Sequence, residues 1–105
     1  MNDNFKCIYH ILKTLEKALD FNGIELDEIS FERFEISKNR WTKYLEMMFD
    51  AGLIKGVSFK KYIDGETAVV NENIQITLKG LEYLSENSIM QRMYKEALKI
   101  ANVIK

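Results

Sequence analysis

The spacing of apolar residues changes once, near Leu53, and this change restricts the fold more than any other feature. Before it, apolar residues recur every three or four positions, which is the helical period. After it, they alternate through 54–63 and 66–76, two runs rich in β-branched and aromatic residues. Asp64-Gly65 lies between the runs and predicts a two-residue hairpin turn, because both turn positions need positive φ. The pattern therefore predicts helices followed by a β-hairpin.

The first part of the chain reads as one helix and one very short strand. Residues 1–19 carry apolar side chains at helical spacing, and residues 2–4 are Asn, Asp and Asn, which favour a helix N-terminus. Asn22-Gly23 is a strong turn signal and ends this helix. Residues 24–26 alternate, so we expect a very short strand there.

Two more helical segments precede the hairpin. A brief helix capped by Asp27 or Ser30 runs through Phe34, and a longer one occupies Ser37–Ala51. Gly52 follows the longer helix, where a residue with positive φ is often needed. The inward residues are predicted to be Ile29, Phe31 and Phe34 in the brief helix, and Trp41, Tyr44, Leu45, Met48 and Phe49 in the longer one.

After the hairpin, Thr77 is placed to cap another helix. We expect a break near residue 87 and a last helix over about 88–104. At 105 residues the expected organisation is a single domain, 1–105. The predicted fold is α+β, a winged helix-turn-helix with three helices and a two-stranded wing (about 54–76), followed by two C-terminal helices. Another small α+β domain is the alternative.

Three stretches carry a resemblance to a known family. They are Ile8-Tyr9-His10-Ile11-Leu12-Lys13, Gly52-Leu53-Ile54-Lys55-Gly56-Val57, and the segment from Ile76-Thr77-Leu78-Lys79-Gly80 through Ser85-Glu86-Asn87-Ser88 to Met90. Together they resemble the YjcQ family, small proteins of Gram-positive bacteria and their phages whose function is not established. The resemblance implies a winged-helix fold and a phage or prophage origin. It implies no substrate, cofactor or catalytic residue.

Carboxylates are abundant, but cysteine and histidine, which many metal sites and nucleophilic enzymes use, are scarce. The chain has one cysteine, Cys7, and one histidine, His10, whereas zinc needs three or four such ligands. Nothing near His10 forms a nucleophile–base pattern, so we expect no enzyme activity, no metal and no cofactor. The longest apolar run is three residues, which excludes a membrane-spanning helix and a signal-peptide core. The expected compartment is the cytoplasm.

Charge is segregated although the net charge is only −1. Residues 37–61 carry six basic side chains and two acidic ones, and residues 16–36 carry seven acidic and two basic ones. The basic excess thus falls on the helix and wing that a winged helix presents to double-stranded DNA. We predict major-groove contacts from Lys38, Asn39, Arg40, Thr42 and Lys43, and contacts from the wing through Lys60 and Lys61.

A protein-interaction adaptor that binds no DNA is the alternative function. It would use the acidic 16–36 segment or the last helix, whose apolar stripe is wider than one core face requires. That stripe predicts a homodimer through Met90, Met93, Tyr94, Ala97, Leu98 and Ala101. The other reading is that the last helix wraps around the first helix of the same chain.

Overall fold

The computed structural model describes residues 3–87. Three α-helices, three short 3-10 helices and one β-hairpin make up the regular structure of that part of the chain. The elements are α1 (Asp3–Lys17), three 3-10 helices (Ala18–Asp20, Leu26–Ile29 and Phe31–Phe34), α2 (Lys38–Asp50), β1 (Ile54–Lys61), β2 (Thr67–Ile76) and α3, which occupies 78–87. The predicted break at Asn87-Ser88 falls at the end of the described residues, and the predicted last helix and its dimer residues lie outside them.

The α+β class and the antiparallel hairpin are confirmed. β1 pairs with β2 in a two-stranded sheet whose register joins Ile54 to Ile76 and Lys61 to Thr67. The predicted strand at 24–26 is wrong, because this segment joins no ladder. Instead, the Asn71 side chain donates a hydrogen bond from Nδ2 to the carbonyl oxygen of Ile24 at 2.9 Å.

The hairpin turn differs from the prediction by one residue. Tyr62 and Glu66 close the ladder through a backbone hydrogen bond of 2.8 Å, which leaves three residues in the loop. The Gly65 N–H bonds to the Tyr62 carbonyl, and Gly65 has a φ of 90° whereas Asp64 does not have positive φ. This is the three-residue loop in which a turn is followed by a glycine, not the two-residue turn that Asp-Gly suggested.

An irregularity near the base of the hairpin depends on Gly56. The register shifts between Lys55 and Val57, where Asn73 has a φ of 154° and Gly56 a φ of 74°. A Cβ on Gly56 would lie 2.0 Å from the Asn73 carbonyl oxygen, so only glycine fits. The bulged segment is also held by the Ile74 N–H, which donates to Asn71 Oδ1 at 2.8 Å.

Both ends of α2 are capped as the sequence predicts. Ser37 accepts a hydrogen bond from the Arg40 N–H through its hydroxyl at the N-terminus. At the C-terminus Gly52 has a φ of 79°, and the N–H groups of Gly52 and Leu53 bond to the carbonyls of Phe49 and Met48. These are the two hydrogen bonds of a Schellman motif, so the helix ends at a defined residue.

The core lies between α1, α2 and the base of the hairpin. Trp41 is buried in it, and its indole Nε1–H donates to the Ile29 carbonyl at 2.7 Å. The buried apolar side chains of the described residues are Cys7, Ile11, Leu12, Leu15, Ile29, Trp41, Tyr44, Leu45, Met48, Leu53, Ile54, Val57, Ile74, Ile76 and Leu84. Four of the five predicted inward residues of α2 are therefore confirmed.

Three aromatic residues predicted to be buried are only partly covered. Phe49 is 43% exposed, since it lies at the last turn of α2, and its ring meets Phe59 of β1 edge-on at 5.9 Å. Phe31 and Phe34 are half-buried, and the predicted brief helix forms as two 3-10 turns, of which the first buries Ile29 completely. Phe31 packs against the Trp41 ring at 5.9 Å.

Helix α3 is joined tightly to the end of the hairpin. The Thr77 hydroxyl accepts from the Gly80 N–H and donates to the Gly52 carbonyl, so Thr77 caps the helix as predicted. A Cβ on Gly80 would lie 2.4 Å from the Leu53 carbonyl oxygen and 2.5 Å from the Ile76 side chain. The missing side chain thus lets α3 approach the sheet. None of the helices within residues 3–87 is long and apolar enough to cross a membrane.

Candidate nucleic-acid interface

The solvent face of α2 follows from which residues its core face uses. Because Trp41, Leu45 and Met48 point inward, the residues about half a turn away point outward. Lys38, Asn39 and Lys43 are exposed, as the sequence predicts. Glu46 and Asp50 lie on the same face toward the C-terminus, so the basic character is confined to the first half of the helix.

Thr42 is not on this face. It is only 5% exposed, and its hydroxyl donates to the Lys38 carbonyl at 2.9 Å. Thr42 lies on the flank of α2 nearer the core, where packing covers a wider arc of the helix than the apolar stripe alone indicates. The expectation that Thr42 projects outward is wrong, and Thr42 is not part of the candidate surface.

Arg40 is exposed but tied to the first helix. Its Nη1 donates to Asn4 Oδ1 at 3.1 Å and to the Tyr44 hydroxyl at 3.3 Å. The Tyr44 hydroxyl also bonds to Asn4. The hydrogen bond with Tyr44 raises the pKa of Arg40, so the guanidinium stays charged. Arg40 therefore joins the start of α1 to α2, a role that sequence spacing alone did not reveal.

The hairpin presents Lys60 and Lys61 to solvent near its tip. The Lys60 ammonium lies 5.5 Å from the centre of the Tyr62 ring, a cation–π contact that orients the lysine side chain. Ile63 is fully exposed at the tip. The Asp64 side chain accepts the Glu66 N–H at 3.0 Å, which fixes the loop that carries these residues.

Two grooves contain the predicted basic residues of α2, whereas Lys60 and Lys61 of the hairpin line neither of them, and Asp27 lines one groove together with Lys38. The wing-side groove places Lys38 with Ala68 and Val69 of β2, and Ala68 is the register partner of Lys60. The structure thus brings the first turn of α2 close to the hairpin. The α1-side groove, between the start of α1 and α2, contains Asn39, Arg40 and Lys43. No single cluster contains all the predicted residues.

The ammonium groups of the candidate surface are not neutralised within the described part of the chain. Among residues 3–87, Lys13 and Glu16 of α1 make the single ion pair, at 2.9 Å. Lys38, Lys43 and Lys61 contact no carboxylate there. Their positive charge is consequently available to a ligand, whereas that of Lys13 is compensated.

Cys7 and His10 of α1 lie in environments that are typical of structural residues. Cys7 is buried, and burial raises the pKa of its thiol to about 11, so it stays protonated at neutral pH. His10 is exposed and meets the Tyr9 ring edge-on at 6.0 Å. Within residues 3–87 no three His, Cys, Asp or Glu side chains are grouped so that they could hold a metal ion.

One exposed apolar feature was not anticipated from sequence. The sequence places Leu19 in the first helix and Phe21 at its end, yet their side chains are 51% and 72% exposed beside a groove that Ile74 and Gln75 also line. Asp20 lies between them in sequence and is exposed too. Sequence spacing offers no signal at Leu19, which follows Leu15 at helical spacing, whereas Phe21 lies next to the Asn22-Gly23 turn signal.

Comparison with known proteins supplies a family for the chain. A family model described as YjcQ protein matches residues 9–103, nearly the full length. No curated protein and no solved structure matches the chain. The matched region covers α1 from Tyr9, α2, the whole hairpin and the described part of α3, and so contains all of the predicted interface residues. The chain belongs to the YjcQ family.

Proposed function

We propose that this protein is a DNA-binding module of the winged helix-turn-helix type. In this reading α2 is the recognition helix, and the β1–β2 hairpin is the wing. Lys38, Asn39 and Lys43 contact the major groove and its phosphates, and Lys60 and Lys61 contact the backbone beside it. The observation that carries the proposal is that the exposed lysines of the first half of α2 and of the neighbouring hairpin form no ion pair with a carboxylate of residues 3–87.

The kinds of side chain support this reading. Lysine ammonium groups bind phosphate oxygens as point charges, and an exposed asparagine pairs with the edge of adenine. Asn39 is exposed and makes no hydrogen bond through its side chain to another described residue. Arg40 is a weaker candidate for base contact, because one of its nitrogens is occupied by Asn4 and Tyr44. We assign it mainly to holding α1 against α2.

Charge reversal at the candidate surface tests the proposal. The triple variant Lys38→Glu, Lys43→Glu, Lys61→Glu changes three exposed lysines that make no side-chain contact the fold needs. We expect binding to a mixed-sequence duplex to fall by at least about 100-fold, since repulsion replaces attraction at three phosphates. Gel-shift titration measures the effect.

The control Lys17→Glu is compared with the single reversal Lys43→Glu, which changes the net charge equally, and it reverses an exposed lysine at the end of α1, away from the candidate surface. It should leave duplex binding nearly unchanged. An equal loss in the control would mean that binding follows net charge alone, and full binding by the triple variant would contradict the proposed surface.

A protein-interaction role is the second candidate, and one observation favours it. The exposed Leu19 and Phe21 side chains flank Asp20 within the acidic 16–36 segment. Exposed apolar side chains with acidic neighbours suit a partner surface that is apolar and basic. Replacing Phe21 with Ser would weaken such a complex and leave duplex binding intact, which distinguishes the two functions.

A further inference from the structure

The α1-side groove has a composition that the DNA reading does not explain. It is an open cleft of about 480 Å³ between the first turns of α1 and the solvent face of α2. Its apolar lining includes Phe5 and Ile8 of α1 and Met47 of α2, while Arg40 and Lys43 contribute its charges. A volume of this size lies within the usual range of small-molecule sites, about 300–1,000 Å³.

The charge that the described lining residues give this groove is positive. Both charged residues in its described lining are cations, and no carboxylate is among them. Arg40 is bonded through Nη1 to two uncharged groups, Asn4 and Tyr44, so its charge is retained and its remaining N–H groups are directed elsewhere. Lys43 is exposed and makes no ion pair with a described residue.

Hydrogen bonds among Asn4, Arg40 and Tyr44 also hold the shape of the groove. Tyr44 is only 5% exposed, and its hydroxyl bonds to Asn4 and accepts from Arg40. These contacts fix the separation between α1 and α2 and orient the guanidinium before any ligand arrives. A preorganised cation at the edge of an apolar cleft favours a ligand that has one negative group and one apolar body.

We propose that the α1-side groove binds an amphiphilic organic anion, a carboxylate carried on an aryl or alkyl body. The carboxylate accepts hydrogen bonds from Lys43 and from the N–H groups of Arg40 that Asn4 and Tyr44 leave available. The apolar body lies across Ile8 and Met47. Insofar as the proposed DNA surface is correct, such a ligand competes with DNA for Lys43 and Asn39.

Titration with 4-phenylbutyrate, followed by NMR of the methionine and isoleucine methyl groups, tests this site without DNA. The Met47 and Ile8 methyl signals should shift in a saturable way. The uncharged analogue 4-phenylbutan-1-ol should bind at least about tenfold more weakly, because it offers no charge for Lys43 and Arg40. Equal binding of the alcohol, or unchanged Met47 and Ile8 signals, would overturn the proposal.

Two variants complete the experiment. Lys43→Gln removes one cation from an exposed position and should weaken phenylbutyrate binding about tenfold. Lys55→Gln makes the same change at an exposed site on β1 outside the groove and should have no effect. Equal affinities of both variants would refute the assigned role of Lys43. Since the readout contains no nucleic acid, a failure of DNA binding and a failure of this site give separate results.

Discussion

The inner and outer faces of α2 differ in how strongly the fold constrains them. On the inner face, Trp41 is enclosed, its indole N–H donates to the Ile29 carbonyl, and its ring packs against the tilted ring of Phe31. On the outer face, Asn39 and Lys43 make no side-chain hydrogen bond to any residue of the described part. The inner face therefore sets stability, and the outer face is free to serve binding. Substitutions that affect only one of the two properties test this division.

The largest loss of stability is expected at Gly56, where an added side chain would meet the backbone of the opposite strand. Gly56→Ala would place a Cβ 2.0 Å from the Asn73 carbonyl oxygen, at a residue with positive φ. Strain and overpacking together should lower the free energy of unfolding by about 3–6 kcal/mol. Urea denaturation measures it.

Gly65→Ala is the matched control, because Gly65 also has positive φ but its Cβ would meet nothing within 4 Å. It should lower the free energy of unfolding by only about 1–2 kcal/mol. Equal losses in the two variants would show that the contact with Asn73 is not the cause.

Truncation of Trp41 on the inner face of α2 should cause the next largest loss of stability. Trp41→Ala should lower the free energy of unfolding by about 3–5 kcal/mol, since the side chain is buried and a cavity remains. Trp41→Phe keeps most of the apolar volume but leaves the Ile29 carbonyl without its donor, and should cost about 1–3 kcal/mol. A loss below about 1 kcal/mol for the alanine variant would mean that α2 faces the other way.

Alkaline pH should lower the free energy of unfolding, because it favours ionisation of the Cys7 thiol, which is buried on α1. Burial raises the pKa of this thiol to about 11, above its value in the unfolded chain. The folded state therefore favours the protonated thiol. The stability that Cys7 contributes is complete below the unfolded pKa and is lost as pH rises toward 11, at up to about 1.4 kcal/mol per pH unit. Denaturation curves against pH measure this, with Cys7→Ala as the control that should show a smaller decline over the same range.

The helix caps should have smaller effects that differ from each other. Thr77→Ala removes a hydroxyl that both caps α3 and donates to the Gly52 carbonyl, so we expect a loss of about 1–2 kcal/mol. Ser37→Ala removes one capping hydrogen bond at α2 and should cost about 1 kcal/mol. Thermal denaturation of both variants gives the ranking, and the reverse order would contradict a double role for Thr77.

The smallest stability effect is expected on the outer face. Asn39→Ala and Lys43→Gln should each change the free energy of unfolding by less than about 0.5 kcal/mol, because neither side chain has a partner in the described fold. The same variants should weaken duplex binding. A stability loss as large as that of a cap variant would show that the outer face belongs to the fold after all.

The sequence predicted what depends on local chemistry and periodicity. Ser37, Gly52 and Thr77 could be recognised as caps because the geometry of a helix end selects few residue types. The α+β class and the pairing of the two strands followed from the change of period at Leu53. The hairpin loop was mispredicted by one residue, since an Asp-Gly pair fits either a two-residue turn or the end of a three-residue one.

The remaining features depend on contacts between distant residues. The bond from Arg40 to Asn4 joins positions 36 residues apart, and no periodic pattern signals it. Thr42 is a polar residue that α2 buries on its flank, so the apolar stripe underestimates the width of the core face. The bulge at Gly56 likewise depends on Asn73, a residue on the opposite strand.

The central claim is that the first half of α2 and the hairpin together form a surface for double-stranded DNA. Fluorescence anisotropy of a labelled mixed-sequence duplex, titrated at about 50 and 200 mM salt, tests it most directly. With three to six phosphate contacts, the slope of log affinity against log salt should be about −3 to −5. Absence of binding at low salt and at tens of micromolar protein would contradict the claim and leave the basic residues as ordinary surface charge.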